Sequence, residues 1–274
     1  MEKTGPRHWL LLAFFALFVV FLYGPTLTIF ILSFQGPDGG LTFPMRGVSL
    51  YWFEDLFQPQ MVGDFGGALQ RSLALALIVM GLTVLISLCA GLAFRNRFLG
   101  ATLLFYITIA GLIVPSILIS LGIGLMFNVV GLPPAWWSSA LGAHLTWTLP
   151  FGVLIMFAVF NRFNRALEEA ARDLGASPWQ TLRYVVLPLI APSLVGVGLF
   201  GFSLSYDEFS RTIMAAGSDN TLPLEIYAMT TNVTSPTLYA LGSLTTLFSF
   251  AVVITVTLTV LAMRRRRRVA RVDA

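Results

Sequence analysis

Lysine is nearly missing from this 274-residue chain: Lys3 is the only one, and no glycine-rich loop precedes it. That excludes a Walker A phosphate site and leaves any ATP chemistry to another polypeptide. Cysteine is as scarce. Cys89 stands alone within an apolar run, so neither an intrachain disulfide nor a cysteine-based metal site can be built, and the residue reads as packing. The two histidines, His8 and His144, are far apart and lack HExxH spacing, which removes a zinc protease and a histidine pair; no catalytic group, cofactor or metal is expected in the chain itself. Charge is thin as well, at 11% of residues against 57% hydrophobic. A soluble globule of this size needs far more polar surface, so the chain reads as an all-α integral membrane protein. The formal net charge of +4 raises the question of nucleic acid, but the basic residues are scattered without interleaved aromatics, and they fit membrane orientation better.

Long apolar runs are what the sequence does contain. They give six expected spans in a single transmembrane domain, 1–274, at about 9–34, 68–94, 99–129, 138–160, 187–206 and 238–263. The first is too long for a signal peptide and has no A-x-A-like cleavage site after it, so it reads as a retained anchor. Between the first two runs, Tyr51, Trp52, Phe53 and Phe57 suggest a piece of helix near the interface. Pro115 should kink the third run, and Gly122 and Gly124 should admit a close neighbour. None of the runs carries Asp or Glu in its central stretch, which argues against an ion-coupled carrier. A cytoplasmic N-terminus places 14 of the 17 basic residues on the cytoplasmic side, with Arg46, Arg71 and Arg211 outside. Both termini are then cytoplasmic, and the Arg264–Arg268 run beside the last span reads as a stop-transfer cluster rather than a nucleic-acid or lipid-signalling site.

The one long polar insertion runs from Arg165 to Pro188 and is built like two short helices. Ala166, Leu167, Ala170, Ala171 and Leu174 share one helical face, and Arg165, Glu168, Glu169, Arg172 and Asp173 take the other. Gly175 follows the last periodic position as a residue able to take positive φ. Ser177, Pro178 and Gln180 then read as N-cap, first helical residue and capping-box partner of a second helix carrying Trp179 and Leu182, which leads to a new apolar segment at Leu187-Pro188. Such a knob suits either a groove on a soluble partner or the lipid headgroups, and the residues alone leave both open.

Glu169-Ala170-Ala171, three residues, Gly175, nine residues, then Val185-Val186-Leu187-Pro188 resembles the EAA signature of permease subunits of binding-protein-dependent ABC importers. In that family an Ile more often stands where Val185 is. The resemblance implies a type I importer permease fold of six membrane helices whose coupling helix docks on a separate ATPase. It carries over to Glu169, Ala170, Ala171, Gly175, Leu187 and Pro188, and by position the interface extends to Glu168, Asp173, Leu174, Ala176, Ser177 and Trp179. Implied partners are a second, similar permease, two ATPase subunits that bind ATP and Mg, and a periplasmic substrate-binding protein. The implied location is a bacterial inner membrane. Closure of the ATPase pair would move 169–182 as a lever and tilt the fifth span.

Two further stretches carry polar chemistry. In HLTWTLP, His144, Thr146, Thr148 and Pro150 put polar atoms inside the fourth span; bonding to neighbouring backbone carbonyls is preferred over pore lining. After the fifth span, Asp207 and Glu208 are flanked by Tyr206 and Phe209, an arrangement able to attract a cation against aromatic faces, unless the acids are merely solvated or paired with Arg211. Phe202, Tyr206, Asp207 and Glu208, with Thr146 and Thr148, are the expected path residues. This segment, Thr221-Leu222-Pro223-Leu224-Glu225-Ile226-Tyr227 and Ser235-Pro236 resemble the second permease of spermidine/putrescine-type importers, which implies a polyamine or a related small polar solute; an amino acid derivative or organophosphonate is the alternative. That subgroup tends to carry a basic residue and a glycine shortly before Ser-Pro, where this chain has Thr231 and Val233. A membrane enzyme or scaffold would show paired acids, a Ser-Lys pair or a His cluster in the spans, and none is visible.

Overall fold

The computed structural model describes residues 6–58, 64–96, 98–232 and 235–272. Lys3, Arg97 and Val233 lie outside the described residues, as do the side chains of Arg264–Arg268 and Arg271. Among the described residues every regular element is helical, apart from one isolated antiparallel bridge between Gln35 and Val48. The composition demands this, because a chain inside hydrocarbon must satisfy its backbone N–H and C=O groups within each segment.

The helices are α1 (Pro6–Leu32), α2 (Tyr51–Asp55), α3 (Phe65–Phe94), α4 (Ala101–Ala110), α5 (Ser116–Val129), α6 (Ser139–Asn161), α7 (Ala166–Asp173), α8 (Pro178–Thr181), a π-turn (Leu182–Val186), α9 (Leu187–Tyr206), α10 (Leu222–Asn232) and α11 (Thr237–Val272). Five stretches are long and apolar enough to cross a membrane: Arg7–Leu32, Phe65–Phe94, Ser139–Asn161, Pro178–Tyr206 and Thr237–Thr255.

Two departures from the sequence reading stand out. The third run is broken rather than kinked: α4 has 10 residues and α5 has 14, each short of the ~20 a bilayer core needs. Pro115 is the cause. It has no N–H to donate, its ring crowds the carbonyl four residues back, and it sits extended at φ −55°, ψ 131° as the N-cap of α5. The helix of the fifth span, in turn, does not begin at Leu187. It is continuous with α8 through the π-turn, in which the Leu187 N–H donates to the Leu182 carbonyl, so the helix that carries the span starts at Pro178. Pro188, which has no N–H to offer a carbonyl one turn back, follows this turn as the second residue of α9.

The chain divides into two compact units. In the first, Met1–Phe65 with Ile226–Ala274, α11 packs against α1 and α2. The loop between α1 and α2 is held by Gln35, which is buried, donates to the Gly40 carbonyl and accepts from the Arg46 N–H. Tyr239 on α11 donates to the Leu41 carbonyl and Thr237 to the Asp55 carboxylate.

The second unit, Gly66–Glu225, is built on α6, which packs against α9, α5 and α4. Small residues let the helices meet. A Cβ at Gly152 would stand 2.1 Å from the Ser87 hydroxyl of α3, and one at Gly124 of α5 would stand 2.3 Å from the Met214 carbonyl. Gly122, paired with Gly124 in the sequence reading, faces open space instead. One buried cluster gathers Leu75, Val79, Ala140, Ala143, Ala215, Ala216 and Leu224, and another gathers Met156, Phe160, Val186, Ile190 and Val197. Cys89 is not part of this packing; it is exposed on α3 beside Leu85 and Ile86, on the face turned away from buried Ser87.

Candidate functional site

The polar insertion folds as its residue pattern dictates. α7 ends in a paired cap in which the Gly175 N–H donates to the Arg172 carbonyl at 2.8 Å and the Ala176 N–H to the Ala171 carbonyl at 3.0 Å. This closure needs a left-handed residue, and Gly175 supplies it at φ +85°. The next helix opens on a complete capping box: the Ser177 N–H donates to Gln180 Oε1, and the Gln180 N–H donates to Ser177 Oγ.

α7 exposes apolar residues alongside most of its charged ones. Leu167, Ala170 and Leu174 are exposed, Leu174 to 90%. Trp179 on α8 is 63% exposed. Glu169, Asp173 and Ser177 lie exposed beside them, Ala171, Ala176, Leu187 and Pro188 are half-buried, and Glu168 is buried. The buried residue of α7 is thus a charged one: Glu168 forms an ion pair with Arg95 at the end of α3. A pairing across 73 residues leaves no periodic trace in the sequence, where Arg95 registered only as a cytoplasmic charge.

The other expected site lies where α9 ends. His144 is fully buried on α6 and bonds side chains rather than backbone carbonyls: its Nδ1 lies 2.8 Å from Ser205 Oγ and its Nε2 lies 2.8 Å from Thr212 Oγ1. The Thr212 hydroxyl already donates to the Glu208 carbonyl at 2.6 Å, so it accepts from His144, which fixes the Nε2–H tautomer and leaves Nδ1 to accept from Ser205. Thr148 is buried and accepts a hydrogen bond from Thr83 of α3 at 2.8 Å. Thr146, half-buried, donates to the Ala143 carbonyl of its own helix.

The segment after α9 is folded into the unit instead of lying in solvent. Ser139 donates to the Ala215 carbonyl, the Met214 N–H donates to Ser120, and Ala215 and Ala216 are buried. Arg211 is 1% exposed. Its guanidinium donates to Ser116 Oγ at 2.7 Å, lies 3.6 Å from Glu208 Oε2, and sits 4.4 Å from the centre of the Trp147 ring. Glu208 also accepts from the Arg211 N–H, so this acid is committed to Arg211. Phe202 and Tyr206 stack with centroids 5.8 Å apart and planes at 8°. Asp207 follows at the C-cap of α9 in an exposed position, yet the protein around it raises its carboxyl above the usual range by desolvation. Sequence reasoning thus found the acids and named Arg211 as a possible partner, but not their division of labour, because the groups that hold Arg211 against Glu208 sit on α5 and α6.

Comparisons with known proteins follow the same lines. The chain is 30% identical over 90% of its length, and 95% of the relative's, to the spermidine/putrescine transport system permease protein PotC of Haemophilus influenzae. It is 26% identical to the putrescine transport system permease protein PotI of Escherichia coli over 82% of this chain and 81% of that one. Among solved structures, a chain of a bacterial ABC transporter that imports the acidic polysaccharide alginate superposes with a TM-score of 0.67 at 16% identity, covering 96% of this chain and 98% of that one. Residues 83–271 match the family of binding-protein-dependent transport system inner membrane components. That match takes in the knob, the His144 cluster and the acids, and it bears out the resemblance read from Glu169-Ala170-Ala171 and Gly175: the chain belongs to this family, and it is a multi-pass transport permease of the inner membrane rather than an enzyme.

Proposed function

We propose that this permease forms half of the path of an ATP-driven importer, beside a second permease, and that α7, the Gly175 turn and α8 dock on a separate ATPase. The observation that carries this is the outward apolar face of the knob. Leu167, Leu174 and Trp179 are exposed on a segment capped at its turn, while the buried residue of α7 is a charged one, Glu168, paired with Arg95. A surface of that kind suits a complementary cleft on a soluble protein. The arginine distribution puts the knob and both termini on the cytoplasmic side, where an ATPase would be, and the pair α4 and α5 makes the sixth crossing.

The cargo is a polyamine or a similar small cation. With Glu208 neutralised by Arg211, Asp207 is the acid left to attract it, next to the stacked Phe202 and Tyr206. The relatives named for spermidine and putrescine support the same class.

Uptake of labelled putrescine and spermidine into proteoliposomes tests both parts, with the co-purified ATPase and ATP inside and the binding protein outside. ATP-dependent uptake that Asp207→Asn abolishes supports the whole reading. ATPase activity without uptake of either amine discards the polyamine and turns the search to an organophosphonate or amino acid derivative. Failure of any ATPase to co-purify refutes the docking role.

A further inference from the structure

The exit of α3 holds a charge that neither docking nor cargo attraction uses. Arg95 stands one residue beyond α3, and its guanidinium lies 5.0 Å from the ring centre of Phe160 and 5.4 Å from that of Phe163, at the end of α6. The same guanidinium donates to Glu168 on α7. The two side chains are only 12% and 11% exposed. Arg165, at the start of α7, donates back to the Arg95 carbonyl at 2.8 Å, and Arg172, 58% exposed, approaches the second Glu168 oxygen at 3.9 Å. Beside this knot opens a cavity of about 360 Å³.

An amphipathic segment needing only support would rest on the bundle through its leucines. α7 does the opposite and holds the bundle by one directional, nearly buried ion pair whose cation is braced on two aromatic rings. Apolar contacts slide at little cost, whereas a desolvated pair resists separation because each charge would be left without its partner. We infer that Arg95 is a positioning residue that links α7 to α3 and α6, so that displacement of the knob moves these helices together with α9. The inference rests on the ATPase-docking reading and adds a second line of transmission to the covalent one through the π-turn.

Environment-sensitive fluorophores on single cysteines read the two lines separately. In a Cys89→Ala background, Leu85→Cys reports on α3 and Leu189→Cys on α9; both leucines are exposed. In the assembled transporter, ATP is expected to shift the emission of both labels. With Arg95→Gln the α3 shift falls about fivefold or more, the scale of an ordinary coupling free energy, while the α9 shift persists. Loss of stability alone would not separate the two labels. Exchanging the charges, Arg95→Glu with Glu168→Arg, restores the α3 response relative to either reversal alone. An unchanged α3 shift in Arg95→Gln, or no α3 shift in the parent protein while α9 responds, overturns the inference. If Arg95→Gln does not assemble, Glu168→Gln carries the same expectation and the same refutation. Leu174→Asp keeps the two readings apart. If it retains the ATPase and both shifts, the docking reading fails, whereas its loss of the ATPase beside a normal α3 shift in Arg95→Gln refutes the strut alone.

Discussion

At the scale of single residues, Asp207 and Gly175 carry the sharpest expectations. Desolvation raises the Asp207 carboxyl, so the folded protein disfavours its ionised form. The sign follows from linkage: the stability associated with this group is fully present below its unfolded pKa, near the ordinary ~3.9, and is lost as pH rises through the higher folded value. Asp207→Asn is therefore expected to melt no lower than wild type at neutral pH while losing cation uptake. In wild type, uptake should fall on acidification at a pH above the ordinary carboxylate range, a dependence the Asn variant lacks; an unchanged profile removes Asp207 from the path. Gly175 has nothing within 4 Å of its Cβ position, so a substitution there meets only backbone strain. At φ +85° an L side chain costs about 1–2 kcal/mol, more if β-branched. Gly175→Val should lower transport relative to ATP hydrolysis, and Gly175→Asn, which tolerates this region, should cost less. The sequence already disclosed Gly175, Ser177 and Gln180, because caps and turns are local. It offered the pairing of Glu208 with Arg211 as one alternative, three residues apart, but did not disclose that His144 bridges Ser205 and Thr212, since those partners lie 61 and 68 residues away.

At the scale of elements, the helices follow the long apolar runs, while prolines decided where they depart from them. Pro115 separates α4 from α5, and Pro188 is accommodated by a π-turn that joins α8 to α9. A proline announces a disturbance, but whether the chain breaks or widens depends on what its neighbours offer the freed carbonyl. The α3–α6 crossing gives a testable case. Gly152→Ala drives a Cβ into the Ser87 hydroxyl, an overpacking worth about 1–3 kcal/mol. Thermal unfolding in detergent should show the loss, and adding Ser87→Ala should recover part of it; an unshifted melting temperature in Gly152→Ala would mean that α3 and α6 cross less tightly than described. Gly124→Ala meets a carbonyl, which cannot rotate away, so no side-chain change should rescue it.

At the scale of the whole molecule, the scarcity of charge fixed the solvent, and the placement of what charge there is predicts an orientation. With Cys89 replaced by Ala, a membrane-impermeant maleimide should label Leu174→Cys only in inside-out vesicles and Asp38→Cys only in right-side-out ones. Reversed labelling would put the knob on the wrong side for any ATPase. The family was legible because its signature lies in one contiguous stretch. Its cargo was not, because the charges near Asp207 are balanced by residues from three separate parts of the chain.

The π-turn has a consequence for phase. A helix advances ~100° per residue, so one extra residue in a turn rotates everything before it by about that angle relative to an unbroken α-helix. The compass bearing of Trp179 and Leu174, as seen from the membrane, is thus set by the number of residues in 182–186. Removing one of them would leave every side chain of the knob intact and aim it in a different direction.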